Sequence, residues 1–179
     1  MGRSARRTLA AGAAVVLALC VGAYVFAGAS RARLVSHVYD GDTLRLADGT
    51  KVRLIGVDAP EVESPYGRGE PYGEESRKFL ASLVEGRKVS LTIGDPPVDR
   101  YGRTLAYVYV GNVLVNGRII REGWAEAYRR FPHPMRDLFV AYEREARSKG
   151  LGIWAGRRAK QKAGPGGVLR GAGTGGLAQ

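Results

Sequence analysis

The stretch Val38-Tyr-Asp-Gly-Asp-Thr43 decides how the chain is interpreted. Asp40 and Asp42 are two residues apart, so in an extended chain their side chains point to the same side. The run Val57-Asp-Ala-Pro-Glu61 supplies two more carboxylates, and Arg53 stands between the two acidic groups. Carboxylate oxygens suit a hard divalent cation, whereas the planar guanidinium group suits a phosphate. The pattern therefore predicts a site that holds a metal ion against a phosphodiester.

Each of these residues also has a simpler interpretation. Asp-Gly pairs are common in tight turns, so Asp40-Gly-Asp42 alone would indicate only a turn. Alone, Glu61 would be a solvent-exposed loop acid, and Arg53 a strand residue facing water. Asp99-Arg-Tyr-Gly-Arg103 supplies a second arginine, Arg103, which could be an ordinary hairpin charge. The functional interpretation depends on all of them occurring in one order.

Outward from this stretch, the sequence from Arg33 onward has a strand pattern. Polar and apolar residues alternate, as they do in half-buried strands, and Asp-Gly turns separate the first three runs. Gly94-Asp-Pro-Pro97 is expected to end the fourth strand. The predicted strands are 34–38, 43–46, 51–55, 88–93 and 104–110.

Three helices are predicted after or between these strands. The first covers 75–84. Asn116 is a candidate N-cap for a short second helix. Pro134 is expected to open the third helix. The apolar face predicted for that last helix consists of Met135, Leu138, Tyr142 and Ala146.

Five motifs in order resemble the thermonuclease (staphylococcal-nuclease-like) family, over residues 33 to 154. The resemblance implies a mainly β domain over 33–156, a five-stranded OB-type barrel with about three flanking helices, preceded by an N-terminal apolar helix. The motifs are Asp40-Gly-Asp-Thr43, Val52-Arg-Leu54, Val57-Asp-Ala-Pro-Glu61, Asp99-Arg-Tyr-Gly-Arg103 and Leu105-Ala-Tyr107.

The resemblance also implies roles for individual residues. It implies calcium as the cofactor, with Glu61 as general base on the attacking water and both arginines binding phosphate. Ala59 departs from the best-known members, which carry Thr there, but a carbonyl ligand is unaffected by that change. Tyr101 and Tyr128 are weaker candidates for substrate binding, with packing as the alternative. The implied set is Asp42, Asp58 and the Ala59 carbonyl as metal ligands, Asp40 as an orienting group beside the metal, and Arg53, Glu61 and Arg103 as catalytic residues.

The two ends of the chain differ from the middle. Arg3, Arg6 and Arg7 precede an uncharged run over 8–30, so 1–32 is expected to be a cleavable signal peptide or a retained membrane anchor. A buried core helix is the alternative. The Gly-rich basic tail, 157–179, is expected to be disordered. The domain is thus predicted to be secreted or membrane-anchored, outside the cytoplasm.

Composition supports a polyanionic partner. The 179 residues carry a net charge of +11, which favours nucleic acid or an anionic membrane surface. Cys20 is the only cysteine in the chain, so no intrachain disulfide can form. Together with this charge, the family resemblance implies a calcium-dependent phosphodiesterase that hydrolyses DNA and RNA with little sequence specificity and leaves 3′-phosphate ends, and the protein is expected to be a monomer. The alternatives are a catalytically inactive nucleic-acid-binding barrel and a membrane-surface module.

Overall fold

The fold is described from a computed structural model over residues 32–65 and 67–155. The predictions for the apolar N-terminal helix and for the basic tail lie outside these residues. Within the described ranges, no helix has both the length and the apolar character needed to cross a membrane.

Five strands form a closed barrel, which confirms the predicted fold class. In the sheet, the third, second, first, fourth and fifth barrel strands lie side by side in that order, and the third also pairs in parallel with the fifth, which closes the barrel. Short turns allow the antiparallel meander of the first three strands. The barrel strands are β1 (Arg33–Val38), β2 (Thr43–Leu46), β3 (Lys51–Leu54), β5 (Lys88–Val98) and β6 (Thr104–Val110).

Three short strands lie outside the barrel. β4 (Val57–Asp58) and β8 (Glu126–Ala127) form a separate two-stranded antiparallel sheet. β7 (Val113–Leu114) pairs with the end of β6. The pairing of β4 with β8 fixes the backbone of Asp58.

Three α-helices and a 3₁₀ turn surround the barrel. They are α1 (Gly73–Val84), α2 (Val115–Arg121), α3 (Arg136–Lys149) and the 3₁₀ turn Gly152–Trp154. Alternate residues of the strands point inward, and they meet apolar residues from all three helices in one core. Fully buried members of that core include Val38, Leu44, Val52, Leu54, Leu80, Ile119 and Phe139.

The structure corrects three details of the sequence prediction. β5 does not end at Gly94 but continues to Val98, with a register shift between Ile93 and Val98 in its pairing with β6. Asn116 is not an N-cap: α2 begins at Val115, and the buried Asn116 side chain bonds to the backbone of Ile55, Ala106 and Val108. These bonds satisfy backbone groups where the barrel meets α2.

Of the four residues predicted to form the apolar face of the last helix, Leu138 alone points away from the core: Ala146 is buried, and Met135 and Tyr142 are partly buried against the core. Leu138, expected to face the core, is 43% exposed, whereas Phe139 is fully buried. Adjacent apolar residues leave the phase of a helix ambiguous by one position, because neighbouring side chains are only 100° apart. Tyr107, which packs edge-on against Phe139, is one of the neighbours that determine which of the two faces inward.

Candidate active site

Asp42 is the most tightly bound of the acidic residues. Its side chain is buried, and Oδ1 accepts a hydrogen bond from the Thr43 hydroxyl at 3.0 Å. Oδ2 accepts the backbone N–H of Ala59, also at 3.0 Å, and forms an ion pair with Nη1 of Arg53. The cross-strand pairing of Thr43 with Arg53 brings this arginine to the site. Two distant stretches of sequence, at 42 and 59, therefore meet at one carboxylate.

Asp40 orients the backbone of Asp42. Its Oδ1 accepts the backbone N–H of Asp42 at 2.8 Å. The glycine between them is needed for close packing rather than for a turn. A Cβ at Gly41 would lie 1.9 Å from the Ser76 hydroxyl oxygen and 2.6 Å from the Ala59 Cβ. The acidic stretch is thus packed directly against helix α1.

Asp58 lies on the other side of Arg53. Its Oδ1 is 4.0 Å from Nη2 of Arg53, and its side chain is 56% exposed. Its backbone pairs with Glu126 in the β4–β8 sheet. The Arg53 side chain is only 17% exposed, so it is enclosed between one buried and one accessible carboxylate.

Glu61 begins the loop that leads from β4 to α1, and its side chain faces solvent near this cluster. Partial desolvation raises the pKa of Glu61, and the negative charges of Asp40 and Glu70 raise it further, against the effect of Arg53. A raised pKa makes the carboxylate a stronger proton acceptor.

Asp42 and Asp58 are also destabilised as anions. Burial raises the pKa of Asp42 to about 8, although the Arg53 guanidinium beside it acts against that shift. Partial burial raises the pKa of Asp58 as well, again opposed by Arg53 and reinforced by Glu126. Carboxylates whose charged form is disfavoured by burial gain from a bound cation, because the cation supplies the charge compensation that water no longer provides.

The arrangement fits an oxygen-ligated metal that also takes solvent oxygens. Over 32–65 and 67–155, no three His, Cys, Asp or Glu side chains are already assembled for a metal ion. The predicted ligand set has only two carboxylates, those of Asp42 and Asp58, together with the Ala59 carbonyl. Ala59 directly follows Asp58 in the chain, and its N–H bond to Asp42 fixes its backbone beside that carboxylate.

Arg103 does not contact this cluster. Its Nε donates to Oδ2 of Asp99 at 2.7 Å, and its side chain is 27% exposed. The parallel register of β3 with β6 pairs Val52 with Thr104, so Arg103 enters β6 beside the strand that carries Arg53. Arg53 therefore lies on β3 and Arg103 immediately before the adjacent β6, and their guanidinium groups pair with different carboxylates, those of Asp42 and Asp99.

The two candidate substrate-binding tyrosines differ in exposure. Tyr101 is 66% exposed, and the guanidinium groups of Arg100 and Arg103 lie 4.7 and 5.3 Å from its ring centroid. Tyr128 is half-buried, and its ring centroid lies 5.9 Å from that of Phe131, which is 66% exposed. Sequence reasoning did not assign Phe131, although an aromatic residue in a polar, proline-flanked loop is a usable signal.

Sequence reasoning also missed Glu143 on α3. Its carboxylate is 1% exposed, accepts the backbone N–H of Ala127 at 3.0 Å, and forms ion pairs with Arg129 at 2.8 Å and Arg147 at 2.5 Å. It thereby ties α3 to β8, the partner strand of Asp58. In sequence, Glu143 looks like any polar residue of an exposed helix face.

Comparison with known proteins agrees with this geometry. A family model described as staphylococcal nuclease homologue matches residues 51–156. A thermonuclease of Staphylococcus intermedius is 40% identical over 125 residues, which cover 68% of this chain and 74% of that protein. A micrococcal nuclease of Shigella flexneri is 35% identical over 165 residues, covering 85% and 87% of the two chains. With the barrel and the acid–arginine cluster in place, we conclude that the chain belongs to the staphylococcal nuclease homologue family.

Proposed function

We propose that the protein is a metal-dependent nuclease that hydrolyses phosphodiester bonds in DNA and RNA with little sequence preference. The observation that carries this proposal is the enclosure of Arg53 between Asp42 and Asp58, close to Glu61. A cation site and a phosphate-binding guanidinium group are thereby combined in one place. The relatives named thermonuclease and micrococcal nuclease support the same reaction class.

We propose calcium as the metal, held by Asp42, Asp58 and the Ala59 carbonyl, with Asp40 orienting Asp42. Calcium accepts six to eight oxygen ligands in irregular geometry, which suits two carboxylates and one carbonyl completed by water. When bound, the cation polarises the phosphoryl group and neutralises developing negative charge. The proposed ligands are all oxygen atoms, which disfavours a soft metal.

Glu61 is the proposed general base. It accepts a proton from the water whose oxygen forms a bond to phosphorus. The P–O5′ bond breaks, its electron pair leaves with the 5′ oxygen, and that oxygen takes a proton from solvent, to which Glu61 later returns its own. The expected products are a 3′-phosphate and a 5′-hydroxyl end. The raised pKa of Glu61 favours this proton transfer, since a stronger base takes the proton further in the transition state.

Arg53 and Arg103 are proposed to bind the phosphate oxygens. Fixed guanidinium donors stabilise the charge that spreads over these oxygens in the transition state. Asp99 binds Arg103 through Nε, and within the described residues no ion pair occupies its two terminal nitrogens. Those nitrogens are therefore available to a phosphate, while the stem of the side chain is held.

The expected substrate is a nucleic acid chain, and the protein is expected to act as a monomer. The net charge of +11 attracts a polyanion irrespective of sequence. The exposed ring of Tyr101 and the Tyr128–Phe131 pair offer surfaces on which bases stack, and stacking tolerates every base.

We also propose that residues 1–32 direct export, so that the domain works outside the cytoplasm. A reporter fused after Gln179 should then appear beyond the membrane, and a cytosolic reporter would refute export.

The test is a cleavage assay of the full chain on single-stranded DNA, duplex DNA and RNA, with calcium, with magnesium and with chelator. Calcium-dependent cleavage that leaves 3′-phosphate ends is the expected result, and calorimetry should show calcium binding without substrate. Undiminished cleavage in chelator would refute the metal assignment. Tight DNA binding without cleavage under every condition would instead establish the inactive binding module.

A further inference from the structure

A single residue, Glu70, binds both main-chain polar groups of Glu61. The backbone N–H of Glu70 donates to the carbonyl oxygen of Glu61 at 2.8 Å. In the other direction, the backbone N–H of Glu61 donates to Oε2 of Glu70 at 3.2 Å. This reciprocal pair closes the base of the loop from Glu61 to Glu70.

The loop is anchored on two further sides. Its tip is closed by Ser64 and Gly67, whose backbone groups exchange hydrogen bonds of 3.0 and 3.2 Å. At the other end, the N–H of Gly73 donates to the carbonyl of Glu70 at 3.1 Å. A Cβ at Gly73 would lie 2.1 Å from the carbonyl oxygen of Glu61, so the start of α1 abuts this residue. Glu70 therefore connects a rigid helix to the backbone of Glu61.

If Glu61 is the general base, then holding its backbone in place supports catalysis. Both Glu61 and Glu70 are exposed, and exposed loops are generally more mobile than the elements they join. A base must stay within hydrogen-bond reach of its water, and a misplacement of about 1 Å can cost roughly 10²-fold in rate. Without the Glu70 carboxylate, the N–H of Glu61 loses its partner and one of the two bonds that set its backbone position.

We propose that Glu70 is the positioning residue for Glu61 in the nuclease reaction, acting through hydrogen bonds to its main chain. Glu70 is not proposed to touch the substrate. This inference rests on the proposed function, since a positioned base requires the hydrolytic reaction.

Three variants of the full chain test the proposal. Glu70→Ala removes the acceptor, and Glu70→Gln keeps an acceptor oxygen in the same place while removing the charge. Glu63→Ala is the matched control, because Glu63 is an exposed acid of the same loop whose carboxylate makes no hydrogen bond or ion pair to the described residues. All three should melt within a few degrees of the wild type, since each lies on the surface.

Steady-state cleavage of single-stranded DNA should separate the variants. We expect Glu70→Ala to lower kcat about 10–100-fold with KM within about twofold, because a displaced base weakens the transition state and not substrate binding. Glu70→Gln should recover kcat to within about threefold of the wild type, and Glu63→Ala should match it. An unchanged kcat in Glu70→Ala would overturn the proposal. So would an effect confined to KM, or a Glu70→Gln variant as slow as Glu70→Ala.

Amide hydrogen exchange, measured by NMR without substrate or metal, provides a readout independent of activity. The N–H of Glu61 should exchange more slowly in the wild type and in Glu70→Gln than in Glu70→Ala, by about tenfold or more. If the wild-type protein cleaves no nucleic acid, the proposed function fails while this measurement still decides whether Glu70 fixes Glu61. Equal exchange in all three proteins would refute the pairing itself.

Discussion

Asp99 binds Arg103 twice, once through the backbone and once through the side chain. Its Oδ1 accepts the backbone N–H of Arg103 at 3.0 Å, and its Oδ2 accepts the guanidinium Nε–H at 2.7 Å. Oδ1 also accepts the N–H of Tyr101 at 2.9 Å. The hairpin that carries the second arginine is therefore organised around one carboxylate, which limits the directions in which the guanidinium can point.

Arg103→Lys should lower kcat with little change in KM. Lysine keeps the charge but loses the planar fork that contacts phosphate oxygens in pairs. Loss of a transition-state donor typically costs about 10²–10³ in rate. Steady-state kinetics on single-stranded DNA measure the effect. Arg118→Lys is the control, since Arg118 is an exposed arginine of α2 paired with Glu122. A near-normal kcat in Arg103→Lys would show that Arg103 is an ordinary surface charge.

Asp99→Asn should alter the stability of the protein in a pH-dependent way. Partial burial raises the pKa of Asp99, but the hydrogen bonds from Arg103 and Tyr101 outweigh burial and hold the pKa below its ordinary value of 3.8. A depressed pKa stabilises the folded state above the unfolded pKa, and this stabilisation is lost as the pH falls through the folded pKa. The melting temperature of the wild type should therefore exceed that of the variant at neutral pH. The difference between the two melting temperatures, the gap, should become smaller below pH 3.8. A gap that is constant with pH would contradict the assignment.

Glu61→Gln should abolish most of the activity while leaving the fold and substrate binding intact. Glutamine matches the size of glutamate but cannot accept a proton from water. General base catalysis typically contributes about 10²–10⁴ in rate, so a loss of that order in kcat is expected. DNA binding by the variant, measured in calcium, should remain close to that of the wild type. Rapid cleavage by the variant would assign the proton transfer to another group.

Gly41→Ala should destabilise the domain by about 1–3 kcal/mol, as overpacking of a tight site does. The added Cβ would meet the Ser76 hydroxyl, which is already bound to the Trp124 carbonyl at 2.8 Å and cannot easily withdraw. Chemical denaturation measures the loss. Gly67→Ala is the control, since among the described residues, its chain neighbours aside, no atom lies within 4 Å of a Cβ placed there. Equal stability of the two variants would show that α1 does not press on the acidic stretch.

Glu143→Ala should lower the free energy of unfolding by about 3 kcal/mol, which is more than most surface substitutions do. Removing one partner of a buried ion pair typically costs 3–5 kcal/mol, and the half-exposed Arg129 and Arg147 reduce that figure, because solvent screens them. Glu145→Ala is the control on the same helix, with its ion pairs to Arg121 and Lys149 exposed, and should have a much smaller effect. A comparable loss in both variants would contradict a special role for the buried carboxylate.

The sequence predicted that Asp42, Asp58 and Arg53 would lie together, but it did not predict the contacts that hold their surroundings in place. The meander places Asp42 and Arg53 on neighbouring strands, and Asp58 follows the third strand closely. A local sequence pattern was therefore enough to predict that the three residues lie near each other. In the structure, Arg53 connects the two carboxylates in one network. The roles of Glu70 and Glu143 were not predicted. Each carboxylate accepts a hydrogen bond from a backbone N–H elsewhere in the chain, and the periodicity of the sequence does not reveal such a contact.

The errors in the fold have similar causes. Gly94 and the prolines after it resemble strand breakers, yet β5 continues past them because its pairing with β6 resumes at Val98 and Thr104. Asn116 was assigned by its preference for helix starts, whereas its amide is used to satisfy buried backbone groups of the barrel. In both cases, tertiary pairing outweighed a local preference.

The parallel pairing of β3 with β6 has a consequence for the time at which the protein becomes active. These strands are far apart in sequence, and such non-local pairs form only after the loop-closure entropy between them has been overcome. Arg53 lies on β3 and Arg103 immediately precedes β6, so a chain still emerging from the ribosome holds the acids and the first arginine without the second. On the proposed function, a partly synthesised chain that lacks Arg103 and the closing strand is therefore expected to be inactive, and cleavage should begin only when the barrel closes.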